Sequence, residues 1–229
     1  MTPLLTTIRR TASPRSGPRA ARLMRGFTLY EMMVAISVLM VVTAIGFTSL
    51  APAIKDARVA GAYNLTLEKM RQARELAIEN RKTFLLTFNP PGLPSGLHGI
   101  QINQLNAGTV GQVYDQVPVL LPSDVHFQVI SGVPNTNATT PDNMGTGASA
   151  IQFDIGVNGG TANQIYFFPD GSARDINNNI NNGIIYVARD GDLYSSRAVT
   201  LYGAAGRVRG WRLYRPTGSG PGSGTWSQQ

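Results

Sequence analysis

Nineteen consecutive residues without a charge, Met32 to Leu50 (MMVAISVLMVVTAIGFTSL), set the first constraint on this chain. As an α-helix such a run is about 28 Å long, close to the hydrocarbon thickness of a bilayer. Ahead of it, residues 1–26 carry Arg9, Arg10, Arg15, Arg19, Arg22 and Arg25 and no acidic residue, so six units of the +7 formal charge belong to this leader. From Phe27 onward the chain is nearly neutral, with 14 basic against 13 acidic residues. A pI near 10.0 therefore does not make the whole protein a polyanion binder. A basic segment before an apolar one instead orients a membrane insertion, basic side inward and the remainder exported.

Three readings compete for this stretch. A secretory signal would be cut after a small-residue site, which Ser49-Leu50-Ala51 offers imperfectly, and its apolar core would be shorter. A plain uncleaved anchor is compatible with hydropathy alone. The third reading uses Glu31, a carboxylate at the edge of the apolar run, where burial in lipid is expensive without a partner.

Arg25-Gly26-Phe27-Thr28-Leu29-Tyr30-Glu31 resembles the cleavage motif of type IV prepilins and type II secretion pseudopilins. The resemblance implies that a prepilin peptidase cuts after Gly26 on the cytoplasmic side, that Phe27 becomes the N-methylated first residue, and that Glu31 pairs with the new terminal amine of its own or a neighbouring subunit. Pairing the two charges in lipid favours lateral assembly and sets the axial register.

Beyond Pro52 the pattern changes. Across 53–82, Val59, Tyr63, Leu67, Met70, Arg74 and Ala77 recur at steps of three or four, with Glu68, Lys69, Arg71, Gln72, Glu75 and Glu79 on other faces, the signature of an amphipathic helix. Pro52 is expected to kink this helix rather than stop it. From Thr83 to Arg215, β-branched and aromatic runs alternate with turn residues: 83–88, 99–103, 111–115, 117–121, 125–130, 150–156, 164–170, 183–189, 197–203 and 207–214. Asp170-Gly171 and Asp190-Gly191 mark tight turns. The expected fold class is α+β, a long N-terminal helix, transmembrane in its first half and amphipathic in its second, packed on an antiparallel β-sheet globular domain. The expected segments are a cleaved leader at 1–26, a transmembrane and assembly helix at 27–52, a stalk helix at 53–82, the β-rich domain at 83–215 and a disordered tail at 216–229. The loop 131–149, poor in large apolar residues, is expected to be exposed and mobile.

The order of elements, with KMRQARELAI at 69–78, IYFFPDGSA at 165–173 and Gly206-Arg207-Val208-Arg209, resembles the GspH/FimT group of the pilin superfamily. The resemblance implies the pilin fold and a minor pilin or pseudopilin of the bacterial inner membrane, with its globular domain in the periplasm. Its implied partners are other pilins and an inner-membrane assembly platform. Some members of the group bind DNA through a C-terminal Gly-Arg-x-Arg motif. Here Arg207, Arg209, Arg212 and Arg215 crowd together, and 207 and 209 share a face of a strand, as phosphate contacts would require. Trp211 and Tyr214 nearby could stack on bases. The competing reading is a charged edge strand that resists aggregation.

Little else carries chemistry. The chain has no cysteine, and its two histidines, His98 and His126, lie far apart in sequence, so a metal site would have to be assembled from separate elements. DINNNINNG at 175–183 has Ile180 and Tyr186 where a calcium loop needs Gly and Glu. No P-loop, nucleophile elbow or HExxH is present. No enzymatic activity, cofactor or metal is expected.

Overall fold

The computed structural model describes residues 26–106, 109–113, 117–134, 139–145, 149–155, 163–175, 177–216 and 224–229. Most of the leader, the middle of the 131–149 loop and residues 217–223 lie outside these. A single helix, α1, spans Leu29–Asn80 and runs through Pro52. The chain divides into two units, Met1–Thr48 and Ser49–Gln229.

In the first unit, the described residues of α1 present apolar side chains outward: Leu29, Met33, Leu39, Val42 and Ile45 are all exposed. Water does not tolerate such a surface on an isolated helix, whereas lipid does. This part of α1 is long and apolar enough to cross a membrane.

In the second unit, the rest of α1 turns amphipathic, and the expected stripe is the buried one. Val59, Tyr63, Met70, Ala73 and Ala77 are buried, and Glu68, Arg71 and Glu75 are exposed. Lys69 departs from its expected polar face and is buried. The chain then forms β1 (Phe84–Phe88), β2 (Gly99–Asn106), β3 (Thr109–Val113), β4 (Val119–Leu120), β5 (Val125–Phe127), β6 (Ile151–Ile155), β7 (Gln164–Phe167), β8 (Ala173–Arg174), β9 (Asn182–Arg189), β10 (Arg197–Tyr202), β11 (Arg207–Tyr214) and β12 (Thr225–Gln228). These make two antiparallel sheets, the antiparallel β-structure expected beside the helix. The first runs β3-β2-β1-β7-β8 with β4 also on β2, and the second runs β12-β11-β10-β9-β5 with β6 also on β9.

The main core joins α1 to both sheets. Leu86 lies opposite Ile102 and Ile165 in the first sheet, and Val199 opposite Ile185 and Gly210 in the second. Leu86, Ile102, Ile165, Ile185 and Val199 pack in one cluster with Val59, Tyr63, Met70 and Ala77. Phe88 bridges the sheets, with its ring 5.5 Å from Phe127 and 5.7 Å from Phe153. Each such side chain, fully buried, stabilises the fold by about 1.5–3 kcal/mol. The helix approaches the second sheet closely at Gly210, where a Cβ would overlap the Tyr63 hydroxyl and lie 2.7 Å from its Cζ.

The second sheet is covered on its other face as well. Ile184, Tyr186, Ala198 and Leu213 pack there against Val133 and Met144. The described parts of the 131–149 loop are therefore not simply exposed: Val133, Thr140, Pro141 and Met144 are buried. Two covered faces explain why Ile184 to Ala188 is buried without alternation. The expected tail also changes. Residues 225–228 are strand rather than disordered, because β12 pairs with β11 through Trp226 opposite Leu213 and Arg212 opposite Ser227. Several strands are shorter than expected. Thus β7 stops at Phe167, before Pro169 and a turn in which the Gly171 N–H donates to the Phe168 carbonyl at 2.9 Å.

Candidate functional site

Gly26, Phe27 and Glu31 stand together at the start of α1. Thr28, just ahead of the helix, accepts the Glu31 N–H on its Oγ1 at 3.2 Å, and Glu31 Oε2 accepts the Thr28 N–H and the Thr28 hydroxyl, each at 2.9 Å. This reciprocal pair is a capping box, satisfying two N–H groups at the helix start. The Thr28-x-x-Glu31 spacing is the signal of this cap in the sequence. The cap fixes where α1 begins, so Gly26 and Phe27 lie outside regular helix. Phe27 is 82% exposed, and nothing lies within 4 Å of the space beside the Gly26 Cα.

The arginines of β11 do not act as one patch. Side chains alternate, so Arg207 and Arg209 share one face and Arg212 projects from the other, opposite Arg197. Arg209 donates to Asp142 Oδ1 at 2.8 Å and lies over the Tyr202 ring at 5.1 Å. Asp142 is the nearly buried partner, its side chain 5% exposed, and its other oxygen accepts the Thr200 hydroxyl at 2.5 Å. Burial and a hydrogen bond to Asp142 hold the Tyr202 hydroxyl above its ordinary pKa. Arg212 lies over Tyr214 at 5.1 Å, and Arg215 over Tyr194 at 4.7 Å. Arg197 is buried over Tyr63, and burial, with Arg212 nearby, lowers its pKa.

Arg207 is the exposed member at the strand start. It lines a concavity of about 440 Å³ with Arg71, Arg74, Glu75 and Gly206. Arg74 Nε donates to the Gly171 carbonyl at 3.2 Å. The turn between β10 and β11 needs Gly206, whose φ is +57° and whose absent Cβ would sit 2.8 Å from that Nε. Arg71 and Arg74 come from the helix, and nothing in the hairpin sequence announces them.

The two histidines do come together. Their rings stack at 4.9 Å, His98 from the loop before β2 and His126 from β5, so they link the two sheets. Three of their four ring nitrogens are engaged: His126 meets Asp190 Oδ1 and the Ser123 carbonyl, both at 3.2 Å, and His98 Nδ1 accepts the Phe127 N–H at 3.3 Å. Among the described residues no group of three or more His, Asp or Glu could hold a metal.

Among known proteins, similarity is found at the start of the chain. Residues 22–47 match the family described as the prokaryotic N-terminal methylation motif. The start of the chain is similar to that family. The match covers the capped helix start and the apolar half of α1, the same residues that carry Gly26, Phe27 and Glu31. No curated protein matches this chain significantly. A solved structure, the type IV minor pilin FimU of Pseudomonas aeruginosa strain PAO1, aligns over 75% of this chain and 96% of its own at 11% identity, with a TM-score of 0.37. At that distance it bears on neither partner nor activity.

Proposed function

We propose that this chain is a minor pilin or pseudopilin subunit, an assembly protein rather than an enzyme. It inserts in the inner membrane with its second unit in the periplasm. Prepilin peptidase cuts after Gly26, Phe27 is N-methylated, and the apolar half of α1 packs beside those of other pilins at the tip of, or within, a short filament built on an inner-membrane platform. A type II secretion pseudopilus and a type IV pilus are both served by such a subunit. The observation that carries this reading is the methylation-motif match over 22–47, which takes in Gly26 and Phe27, the capped start of α1 and its apolar run.

Glu31 has two partners available in this scheme. Before assembly it caps its own helix through Thr28; in a filament it meets the amine of Phe27, its own or a neighbour's. Two charges in lipid are tolerated only as a pair, so this contact sets subunit register. Replacing Glu31 with Ala in the native host is expected to leave cleavage after Gly26 intact and to remove the protein from the sheared filament fraction. Normal incorporation of Glu31→Ala would sink the pairing role. Secretion, twitching and transformation assays on a deletion strain separate the two filament types.

A second reading rests on the exposure of Arg207 beside Arg71 and Arg74. In it the subunit binds DNA for uptake, with Arg207 on a phosphate, half-buried Arg209 and Arg212 holding the hairpin in shape, and Arg215 exposed past the strand's end. Guanidinium groups in a concavity suit phosphate oxygens, and such binding weakens steeply with salt. Arg207→Gln should abolish salt-dependent DNA binding by the purified protein without shifting its unfolding temperature. Unchanged binding would count against it.

A further inference from the structure

The chain holds two tryptophans, Trp211 and Trp226, and they meet in one concavity of about 420 Å³, bordered also by Thr139, Asp142, Asn143 and Thr225. Sheet register explains the convergence. Trp226 lies opposite Leu213, two residues along β11 from Trp211, so the two indoles share a face as diagonal neighbours, a separation of about 7–8 Å. Neither ring is fully buried. Trp226 is fixed by Tyr186, 5.9 Å away, and Trp211 by its N–H, which donates to Thr200 Oγ1 at 3.1 Å.

The opposite lip is held just as firmly. The turn Pro141–Asn143 places Asp142 and Asn143 consecutively in the left-handed region, at φ of +53° and +57°. Non-glycine residues adopt this conformation at a cost, and two in succession persist only where surrounding contacts enforce it. Here Asp142 supplies them: its carboxylate binds Thr200 on β10 and Arg209 on β11. The Trp211 indole, the Thr200 hydroxyl and the Asp142 carboxylate form one continuous relay, so lip and platform are locked to the same two strands. Asn143 is left exposed beside the rings.

We propose that this concavity is a binding site for a glycan, with a pyranose ring laid on the Trp211 and Trp226 faces and its hydroxyls met by Asn143, Thr139 and Thr225. Three features select this chemistry. Aromatic faces pack against the C–H face of a sugar and leave its hydroxyls at the edge, where short hydroxyl and amide side chains stand. The site mixes a few placed polar groups with apolar platforms and is pre-formed, as small-ligand sites are. Its carboxylate is already committed internally, which leaves a neutral surface suited to neutral hydroxyls rather than to an ion. The site belongs wholly to the second unit and is independent of the pilin-like N-terminus.

Because both tryptophans line the site, intrinsic fluorescence reads its occupancy without a label. The test uses the full chain in micelles of a detergent lacking a sugar head group, titrated separately with chitotetraose and cellotetraose. At least one should change the emission saturably, with a dissociation constant of about 1 mM or below and saturation within ~10 mM. Asn143→Gly, which suits the left-handed backbone at this position, and Thr225→Ala, both at exposed positions, should each weaken that binding several-fold without lowering the unfolding temperature. No saturable change with either sugar overturns the proposal. So does binding that both substitutions leave intact, or saturation by a proline-rich peptide in place of the sugars.

Discussion

Replacing Arg209 with Gln separates structure from contact at the β11 hairpin. Arg209 is 26% exposed and its partner Asp142 only 5% exposed, at 2.8 Å. Removing one member of a fully buried pair costs about 3–5 kcal/mol, because it strands the other charge. An exposed pair is worth about 0–1 kcal/mol. This pair sits between those limits, since Arg209 is partly in water and Thr200 still donates to the carboxylate. A loss of about 2–3 kcal/mol follows, with roughly half a kcal/mol more from the contact over Tyr202. For a unit the size of Ser49–Gln229 that lowers the unfolding temperature by about 5–10 °C. Differential scanning calorimetry of purified protein measures it, with Arg207→Gln, an exposed change worth within about 0.5 kcal/mol, as the control. The double variant Asp142→Asn, Arg209→Gln should lose less than the two single losses combined, by about 1–2 kcal/mol of coupling. If Arg209→Gln melts within a degree of Arg207→Gln, the ion pair does not hold the hairpin. The result also governs DNA experiments: binding lost in Arg209→Gln reports on the fold before it reports on phosphate.

Gly210→Ala places a Cβ against the Tyr63 ring. It should cost about 1–3 kcal/mol in denaturant unfolding, and Tyr63→Leu in the same chain should recover part of that loss. The histidine pair predicts a pH dependence. Burial, helped by His126 and opposed by Asp190, holds His98 below its ordinary value of 6.5, and its Nδ1 must stay unprotonated to accept the Phe127 N–H. The unfolded chain therefore binds a proton that the folded chain refuses, so stability falls as pH drops below 6.5 toward the depressed folded value and is level above it. Urea midpoints at about pH 7.5 and 5.5 should differ, and His98→Gln should narrow the difference; an equal difference in the variant would show that His98 does not cause it.

What could be read ahead of the structure follows the range of the forces involved. The membrane run is legible because lipid forbids charge along every residue of it, and the stalk because Val59, Tyr63, Met70 and Ala77 must face one core. Most strands announce themselves through β-branched runs. β12 does not: Thr225-Trp226-Ser227-Gln228 follows a Gly-rich stretch and becomes strand only because β11 offers it an edge. Asp142 is hidden for the same reason. Its partner Arg209 lies 67 residues away, and its own neighbourhood reads as loop. The arginine cluster looked continuous in sequence because spacing alone cannot show that Arg212 faces the helix while Arg209 faces Asp142. The stacking of His98 on His126 likewise depends on two sheets meeting, which no local pattern encodes.

The proposed subunit is processed at its N-terminus and works in an assembly. Intact-mass and N-terminal peptide mass spectrometry of the protein from its native membranes tests it most directly. The expected product is a chain beginning at N-methylated Phe27, with residues 1–26 absent. A chain that keeps the Gly26–Phe27 bond, or one cut near Ala51 with the apolar helix discarded, would contradict it.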